Sequence, residues 1–234
     1  MVGLITDCWL FTYNTPATDV RAFLPASLSP VTYEGCAFYN VVVSRIKKMR
    51  PAGVPAWLGF TYWHVAYRLH VRLPRGNAEP IEGLYFLRSD CSSRVLSIAG
   101  RWLTDFNFHS AAIQVARDEA GVDIHVLSAE APARARVSSE LLAALPSTSV
   151  FSSVSEAADF LKYRPFGISV DSSGIANVVR ISRREEDWQA RIVRVDTAEW
   201  AYLAGRSVSP EVCYQLAPIE YRWNRGITVP HSSR

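Results

Sequence analysis

The chain contains 234 residues, of which 49% are hydrophobic and 20% are charged, and its formal net charge is +3. Such a composition predicts a folded domain with a sizeable core and excludes a disordered chain. Only Lys47, Lys48 and Lys162 of the 25 basic residues are lysines, and no dense basic run occurs, so nucleic-acid binding has no electrostatic support.

The first hundred residues predict long strands that pair with their neighbours in sequence. Aromatic and β-branched residues at period two predict strands at 4–13, 36–46, 59–73 and 82–89. A short helix is predicted after Thr18, and Gly and Pro residues mark the turns between strands. Helical spacing of apolar residues then predicts a helix over Arg94–Leu103, capped by Ser92 or Ser93.

The rest of the chain predicts shorter elements. Strands are predicted at 111–116, 122–128, 167–171, 175–183, 188–195 and 212–222. Gly121 is predicted to take a left-handed conformation in the first hairpin of this part. Helices are predicted over 138–145 and from the capping box at 153–156 through Tyr163. Because no internal repeat or linker occurs, residues 1–234 are expected to form one α+β domain of mostly antiparallel sheet.

The strand at 59–73 carries different side chains on its two faces. Tryptophan and aliphatic residues alternate with a polar row formed by Tyr62, His64, Arg68, His70 and Arg72. Two imidazoles and two guanidinium groups in one row are more than a solvated strand needs. Two interpretations stay open: this row is the anion-binding wall of a cavity, or it is a polar exterior in contact with water.

His64 and Arg68 are the first candidates for a functional site. The small side chain of Ala66 between them leaves room above the sheet for a ligand. A protonatable imidazole beside a permanent cation suits proton transfer at a carbonyl or carboxylate that the guanidinium binds. Arg88 and Asp90 on the next strand have the same parity, which predicts either substrate contacts beside this row or a structural salt bridge.

An ordered set of segments carries a resemblance to a known family. The segments FLPASLSPVTYEGCAFYNVVVSRIKKMRP, EGLYFLRSD and SIAGRWL follow one another, with the polar strand between the first two. Over residues 4–225 the chain resembles the uncharacterised YqjF-like family (domain of unknown function 2071) of the acetoacetate-decarboxylase-like superfamily. The resemblance implies a sheet curled into a cone or barrel around a small-molecule cavity, a helix that supplies residues to this cavity, and a homo-oligomer.

The same resemblance shows a departure from the decarboxylases. In those enzymes a Gly-Arg helix is followed by two adjacent lysines, one of which forms a Schiff base with the keto acid. Gly100 and Arg101 resemble that helix, but Phe108 and His109 stand where the lysines are expected. Neither side chain forms a Schiff base, so decarboxylation by that mechanism is disfavoured. Arg101 then points either into the cavity or to solvent, and His109 is either a second acid/base group or a helix-end partner of Asp105.

Four aromatic residues, two of them tryptophans, are further candidates. Tyr39, Trp57, Tyr62 and Trp102 are predicted either to line an apolar ligand pocket or to belong to the core. Aromatic side chains serve both purposes, so the sequence leaves the choice open.

Several classes of partner are expected to be absent. The four cysteines are widely spaced without a CxxC pair, which predicts free thiols. The two histidines of the polar row are about 20 Å apart on a strand and cannot share one ion, so neither a metal nor a cofactor is expected. No apolar run reaches the roughly 18 residues of a membrane span, and no signal peptide is evident. We therefore expect a cytoplasmic protein without membrane or nucleic-acid partners.

These patterns predict an enzyme that acts on a carbonyl- or carboxylate-containing small molecule by general acid/base chemistry without lysine, of an isomerase, dehydratase or cyclase type. The predicted acid/base groups are His64 and His109, and the predicted substrate contacts are Arg68, Arg101, Arg88, Asp90, Tyr62, Tyr39 and Trp102. The alternative is a non-catalytic ligand-binding protein with the same cavity. A Schiff-base decarboxylase with a displaced lysine is a third interpretation.

Overall fold

Long strands form most of the chain, and in the computed structural model they join into one hydrogen-bonded sheet. The structure describes residues 1–103, 106–162, 164–183 and 189–229, except for the side chains of residues 99 and 101–103. Within these ranges the sheet has 15 strands, which three α-helices accompany. The expected mostly antiparallel α+β fold is confirmed.

The elements follow one another in this order. The helices are α1 (Ala17–Arg21), α2 (Arg94–Leu103) and α3 (Val154–Leu161). The strands of the first half are β1 (Val2–Pro16), β2 (Ser29–Pro30), β3 (Cys36–Arg50), β4 (Phe60–Arg75), β5 (Ala78–Cys91), β6 (Phe108–Ser110) and β7 (Ala112–Arg117). The remaining strands are β8 (Gly121–Leu127), β9 (Ala133–Leu141), β10 (Phe166–Val170), β11 (Ala176–Ser182), β12 (Ala190–Trp200), β13 (Ser209–Leu216), β14 (Ile219–Trp223) and β15 (Ile227–Val229).

Seven of these strands close into a ring. Their order around it is β1, β3, β4, β5, β10, β11 and β14, and β14 pairs back with β1. Neighbours in the ring are antiparallel except for β5 and β10, which are parallel. β1 takes part twice, because residues 2–5 pair with β14 whereas residues 8–14 pair with β13. The sheet is therefore curled around an interior, as the family resemblance implies.

The largest hydrophobic core lies outside the ring. From β1 the sheet continues through β13, β12, β9, β8 and β7, which form a second layer. Val65, Tyr67 and Leu69 of β4 are buried in one cluster with Ile124 and Trp200 of this layer. Each large side chain buried in this way contributes about 1.5–3 kcal/mol to the free energy of unfolding. The apolar face of β4 is thus its outer face.

The helix predicted over 138–145 is wrong, because β9 extends to Leu141. β9 pairs with β8 on one side and with β12 on the other, so its backbone groups find partners on both edges. This tertiary pairing overrides the helix propensity of the stretch rich in alanine and leucine.

Gly121 also differs from the prediction: its φ of 159° is nearly extended. A glycine is needed there because a Cβ would lie 2.1 Å from the Val137 carbonyl oxygen.

Other local predictions are confirmed. α2 spans the predicted residues, and the Ser153 hydroxyl caps α3 by accepting a hydrogen bond from the Glu156 backbone N–H at 3.2 Å. All four cysteines are free thiols. The predicted helix end at Tyr163 and the predicted strand start at Trp188 lie outside the described residues. None of the helices in the described ranges has the length and apolarity needed to cross a membrane.

Replacing Leu161 by alanine is expected to lower the free energy of unfolding by about 2–5 kcal/mol. Leu161 is fully buried at the end of α3, where it packs against the side chains that face the interior of the ring, so its truncation leaves a void. Urea unfolding measures the loss. Val154→Ala on the same helix is the control, because Val154 is exposed and its truncation is expected to cost less than about 1 kcal/mol. Equal losses for the two variants would contradict the packing of α3 described here.

Candidate functional site

A cavity of about 100 Å³ lies inside the ring. Aliphatic side chains of β1, β3 and β14 form much of its wall, and Leu161 of α3 contributes at one end. The strongly polar lining consists of Asn40, Ser44, His64, Arg68, His70 and Arg183. Among the described residues, neither an acidic side chain nor a lysine lines this cavity. The wall is therefore apolar with a set of hydrogen-bonding groups and two permanent cations.

The polar row of β4 is the inner face of the ring. His64, Ala66, Arg68 and His70 line the cavity, whereas Tyr67, between them in sequence, is buried in the core outside the ring. Period-two alternation produces this division, since successive side chains of a strand point to opposite faces of the sheet. The interpretation of the row as a cavity wall is confirmed for His64, Arg68 and His70. It is wrong for Arg72, which is exposed and forms an ion pair with Glu82, with 2.6 Å between Nη2 and Oε1. The catalytic and binding roles of its members stay predictions.

His64 is a neutral imidazole buried in the cavity wall. It is 8% exposed, and its Nε2 atom is buried without a hydrogen-bond partner among the described residues. Its ring stacks on Phe108 with 5.7 Å between ring centroids. Burial, aided by the positive charge of Arg68, lowers the pKa of His64 to about 4. At neutral pH the imidazole is therefore uncharged and has a nitrogen available for a ligand.

The cavity lining includes three polar residues that no sequence pattern singled out, Asn40, Ser44 and Arg183, and it includes His70 of the polar row, which had no predicted role. Asn40 is 1% exposed, and its Nδ2 atom is buried without a partner in the described part of the chain. The Nδ1 atom of His70 is equally buried and unpartnered there. Burial, then the charges of Arg164 and Arg68, lowers the pKa of His70 to about 3. The sequence did contain a signal for Asn40, because it is a single amide within the apolar, β-branched strand predicted at 36–46.

Arg88 and Asp90 are not beside the polar row. Their ion pair is confirmed, with 2.9 Å between Arg88 Nη2 and Asp90 Oδ1, but it lies on the outer face of the ring. The reason is a β-bulge: Tyr67 pairs with Arg88 whereas Arg68 pairs with Phe86, so Leu87 is an extra residue. The extra residue reverses the alternation of β5. Phe86 faces the cavity, and the two charged residues face away from it.

His109 also lies outside the cavity, next to this ion pair. Its Nδ1 atom is 3.5 Å from Glu130 Oε2, and the same carboxylate oxygen binds Arg88 Nη1 at 2.8 Å. Its Nε2 atom is 3.1 Å from Asn107 Oδ1. The Asn107 amide in turn donates to the carbonyl of Leu87, the bulged residue, at 2.6 Å. His109 therefore belongs to a polar network that connects β5, β6 and the turn before β9.

Phe108 rather than His109 is the β6 side chain that reaches the cavity wall. Its ring stacks on His64, and a Cβ on Gly100 would lie 2.5 Å from that ring. The glycine of the Gly-Arg helix thus permits α2 to pack directly on Phe108. The side chains of Arg101 and Trp102 on this helix lie outside the described residues, as does Asp105.

The predicted aromatic lining is wrong for two of its four residues, Tyr39 and Trp57. Tyr39 is buried on the outer face of β3, where Arg206 Nη1 donates to its hydroxyl at 3.4 Å. Trp57 is 80% exposed in a short turn. Tyr62 is buried beside the cavity, with 6.4 Å between its ring centroid and that of His64, in a cluster with Tyr221. Alternation places Tyr39 correctly only when the inner face of its strand is known, whereas Trp57 lies in the turn before β4, where alternation does not apply.

Lowering the pH from 6.5 to 4 is expected to reduce the free energy of unfolding through His64 and His70. The unfolded state binds protons at these groups near pH 6.5, whereas the folded state binds them only near pH 4 and pH 3. The stability that these two histidines contribute is therefore fully present above pH 6.5, and it is lost as the pH falls through this window. Urea unfolding at several pH values measures this dependence. The free energy of unfolding should change less steeply with pH in the double variant His64→Gln, His70→Gln than in the unaltered protein. Imidazole resonances of His64 or His70 that titrate near pH 6.5 would contradict the burial described here.

Comparison with known proteins adds a family and a set of fold relatives. An acetoacetate decarboxylase-like enzyme from Sphingomonas wittichii RW1 superposes with a TM-score of 0.61 at 14% identity, covering 98% of this chain and 92% of that one. The enduracididine biosynthesis enzyme MppR complexed with pyruvate gives a TM-score of 0.58 at 10% identity, with 99% and 91% covered. Acetoacetate decarboxylase from Legionella pneumophila subsp. pneumophila str. Philadelphia 1 gives 0.50 at 13% identity, with 95% and 87% covered.

These structures show that the chain has the acetoacetate-decarboxylase-like fold, and at such low identities they show the fold alone. No curated protein sequence matches the chain. A family model described as an uncharacterized conserved protein, DUF2071, matches residues 5–219. Since this match covers nearly the whole chain, the protein belongs to the DUF2071 family, as the order of its sequence segments indicated.

Proposed function

We propose that this protein is an enzyme that performs general acid/base chemistry, without a Schiff base, on a small carbonyl- or carboxylate-containing metabolite held in the ring cavity. The observation that carries the proposal is the buried Nε2 atom of His64, which has no partner among the described residues, in a cavity that also contains Arg68. A buried polar atom without a partner costs free energy, so the site favours an occupant that supplies the missing hydrogen bond. Isomerisation, dehydration and cyclisation are the reaction types that proton transfer of this kind serves.

The size of the cavity limits the ligand. An apolar cavity of about 150 Å³ holds a benzene ring, so a cavity of about 100 Å³ limits the ligand to a smaller molecule, of about four non-hydrogen atoms by simple scaling. Short oxo acids are among the smallest metabolites that carry both a carbonyl and a carboxylate, and a chain of three or four carbons requires a modest outward shift of the lining side chains. The fold relative MppR, which was seen in complex with pyruvate, supports the same class of ligand for this chain.

His64 is the residue to which we assign the proton transfer. As a neutral imidazole it takes a proton from the carbon next to the substrate carbonyl. The electron pair of that C–H bond forms the C=C bond of an enolate, and the π pair of the carbonyl moves onto its oxygen. Arg68 stabilises the resulting negative charge or binds the carboxylate. A bound anion beside His64 also raises the pKa of the imidazole, because an opposite charge favours its protonated form. A bound carboxylate thus makes His64 a stronger base.

The distribution of lysines supports a mechanism without an imine. Lys48 and Lys162 are exposed and Lys47 is half-buried, and none of these three lysines lines the cavity. The position that resembles the lysine pair of the decarboxylases is occupied by Phe108 and His109. We leave His109, Arg88, Asp90 and Tyr39 out of the proposed machinery, because they lie on the outer face of the ring.

The other predicted contacts are retained as part of the proposal. Tyr62 borders His64 and is proposed to limit the space beside the imidazole. Arg101 remains a proposed substrate contact of α2, as the family resemblance implies, and Trp102 remains one as an aromatic residue of the same helix.

His64→Gln is expected to lower the rate of proton exchange in a bound oxo acid by at least about 100-fold. The assay follows deuterium incorporation at the carbon next to the carbonyl by NMR in D₂O, with pyruvate, 2-oxobutanoate and acetoacetate as probes. Glutamine keeps the size of the side chain but lacks a basic nitrogen. His125→Gln is the matched control, because His125 lies on β8 in the second layer, away from the cavity, and the exchange rate should not change.

Binding of these probes without any catalysed exchange would overturn the proposal in favour of a non-catalytic ligand-binding protein. Undiminished exchange in His64→Gln would remove His64 from the mechanism.

Treatment with borohydride in the presence of the same oxo acids is expected to leave the mass of the protein unchanged. Reduction traps an imine between a lysine and a carbonyl, and the cavity has no lysine among its described lining residues. Intact-protein mass spectrometry measures the result. A mass increase that maps to Lys47, Lys48 or Lys162 would instead support a decarboxylase with a displaced lysine.

A further inference from the structure

Asn40 presents a hydrogen-bond donor to the cavity in a fixed orientation. The Thr12 hydroxyl donates to Asn40 Oδ1 at 3.3 Å, so the oxygen of this amide is occupied. The Nδ2 atom of the same amide is buried and has no partner in the described part of the chain. Both side chains are almost completely buried, at 1% exposure for Asn40 and 2% for Thr12. An amide nitrogen only donates, so the group that would satisfy it must be a hydrogen-bond acceptor.

The strand register places this donor beside a cation. Asn40 on β3 is the antiparallel partner of Arg68 on β4, and both side chains line the cavity. Directly opposite residues of such a pair have Cβ atoms about 4.5–5.5 Å apart, close enough for two side chains to contact one ligand group. The Arg68 guanidinium carbon lies 5.8 Å from the centre of the Phe86 ring, which borders the same part of the cavity.

The charge of the wall adds selectivity against cations. Two arginines line the cavity, and an acidic side chain is absent from its described lining. An ammonium group in this space would lose its hydration and meet only like charge. A carboxylate would gain a charge-assisted hydrogen bond from Asn40 and the attraction of the guanidinium.

We propose that Asn40, oriented by Thr12, is a specificity-determining residue that binds the ligand's carboxylate together with Arg68, so that the cavity selects oxo acids against their amino-acid and uncharged counterparts. This inference rests on the proposed function for the class of ligand, but it concerns binding and not proton transfer. In this assignment the ligand's carboxylate contacts Asn40 and Arg68. The reacting carbon then lies next to His64. Thr12 acts as a positioning residue, because it contacts the amide and not the ligand.

The test compares three ligands of the same carbon skeleton: 2-oxobutanoate, 2-aminobutanoate and 2-butanone. Isothermal titration calorimetry with the full chain is expected to show that 2-oxobutanoate binds at least about tenfold more tightly than the other two. Asn40→Leu, which keeps the approximate volume and removes the donor, should weaken 2-oxobutanoate binding about 10- to 100-fold and change 2-butanone binding little. Thr12→Val should give a smaller loss, since the amide keeps its donor but loses the contact that orients it.

Two controls separate folding and catalysis from this effect. Gln114→Leu removes an exposed amide on β7 outside the cavity and should leave all three affinities unchanged. Thermal unfolding of each variant shows whether the fold is retained, and Thr12→Val provides a second test if Asn40→Leu does not fold. His64→Gln should keep the ratio of the affinities for 2-oxobutanoate and 2-aminobutanoate within about threefold, because this selectivity is assigned to Asn40 and Arg68 and not to the imidazole.

Equal affinities for the oxo and amino acids, or wild-type affinity in folded Asn40→Leu, would overturn this assignment. Either result would leave the exchange assay for His64 unaffected. Conversely, a failure of exchange in the presence of normal Asn40-dependent binding would overturn the proposed catalysis and keep the binding assignment.

Discussion

Burial of strand β4 on both faces is the constraint on which the site depends. Its outer side chains, such as Val65 and Leu69, are fully buried against the second layer and hold the strand in place. Its inner side chains, His64 and Arg68, face a cavity that only ring closure creates. Burying polar groups costs free energy unless partners are supplied. The apolar face therefore stabilises a strand whose other face is kept polar at a cost, which is typical of functional sites.

Ring closure buries the polar side chains on the inner face of β4 and so changes their protonation and charge interactions. β14 pairs with the first residues of β1, so the two ends of the chain complete the wall opposite β4. Removal from water lowers the pKa of both inward-facing histidines and makes them neutral donors or acceptors at physiological pH. The same low polarity strengthens any interaction between Arg68 and an anion. A histidine row exposed to water would have neither property.

The outer polar network has a structural role that complements the cavity. Arg88, Asp90, Glu130 and His109 lie close together between β5, β6 and the turn before β9. Asn107 satisfies the carbonyl of the bulged Leu87 and so stabilises the irregularity that turns Arg88 and Asp90 outward. This arrangement also holds β6 against β5, with Phe108 stacked on His64. Arg88, Asp90 and His109, which the sequence predicted as site residues, thus lie on the outer face of the ring and hold the strands that carry the cavity wall.

The sequence by itself determined the local features whose causes are local. Alternation separated the two faces of β4, helical spacing gave the bounds of α2, and Ser153 marked the start of α3. The ordered segments indicated the family, and the absence of a lysine pair after Gly100 indicated that a Schiff base is unavailable in the usual position. Each of these conclusions needs only residues that are close together in the chain.

Only the tertiary structure decided which face of each strand points inward. Alternation is symmetrical, so Tyr39 and His64 were equally good candidates for a cavity until ring closure placed them on opposite sides of the sheet. The single extra residue Leu87 reversed the direction of Arg88 and Asp90, and strand pairing on both edges turned the predicted helix at 138–145 into β9. Asn40 became a site residue only when Thr12 and Arg68 were brought beside it. These outcomes depend on contacts between residues far apart in sequence, which no local pattern specifies.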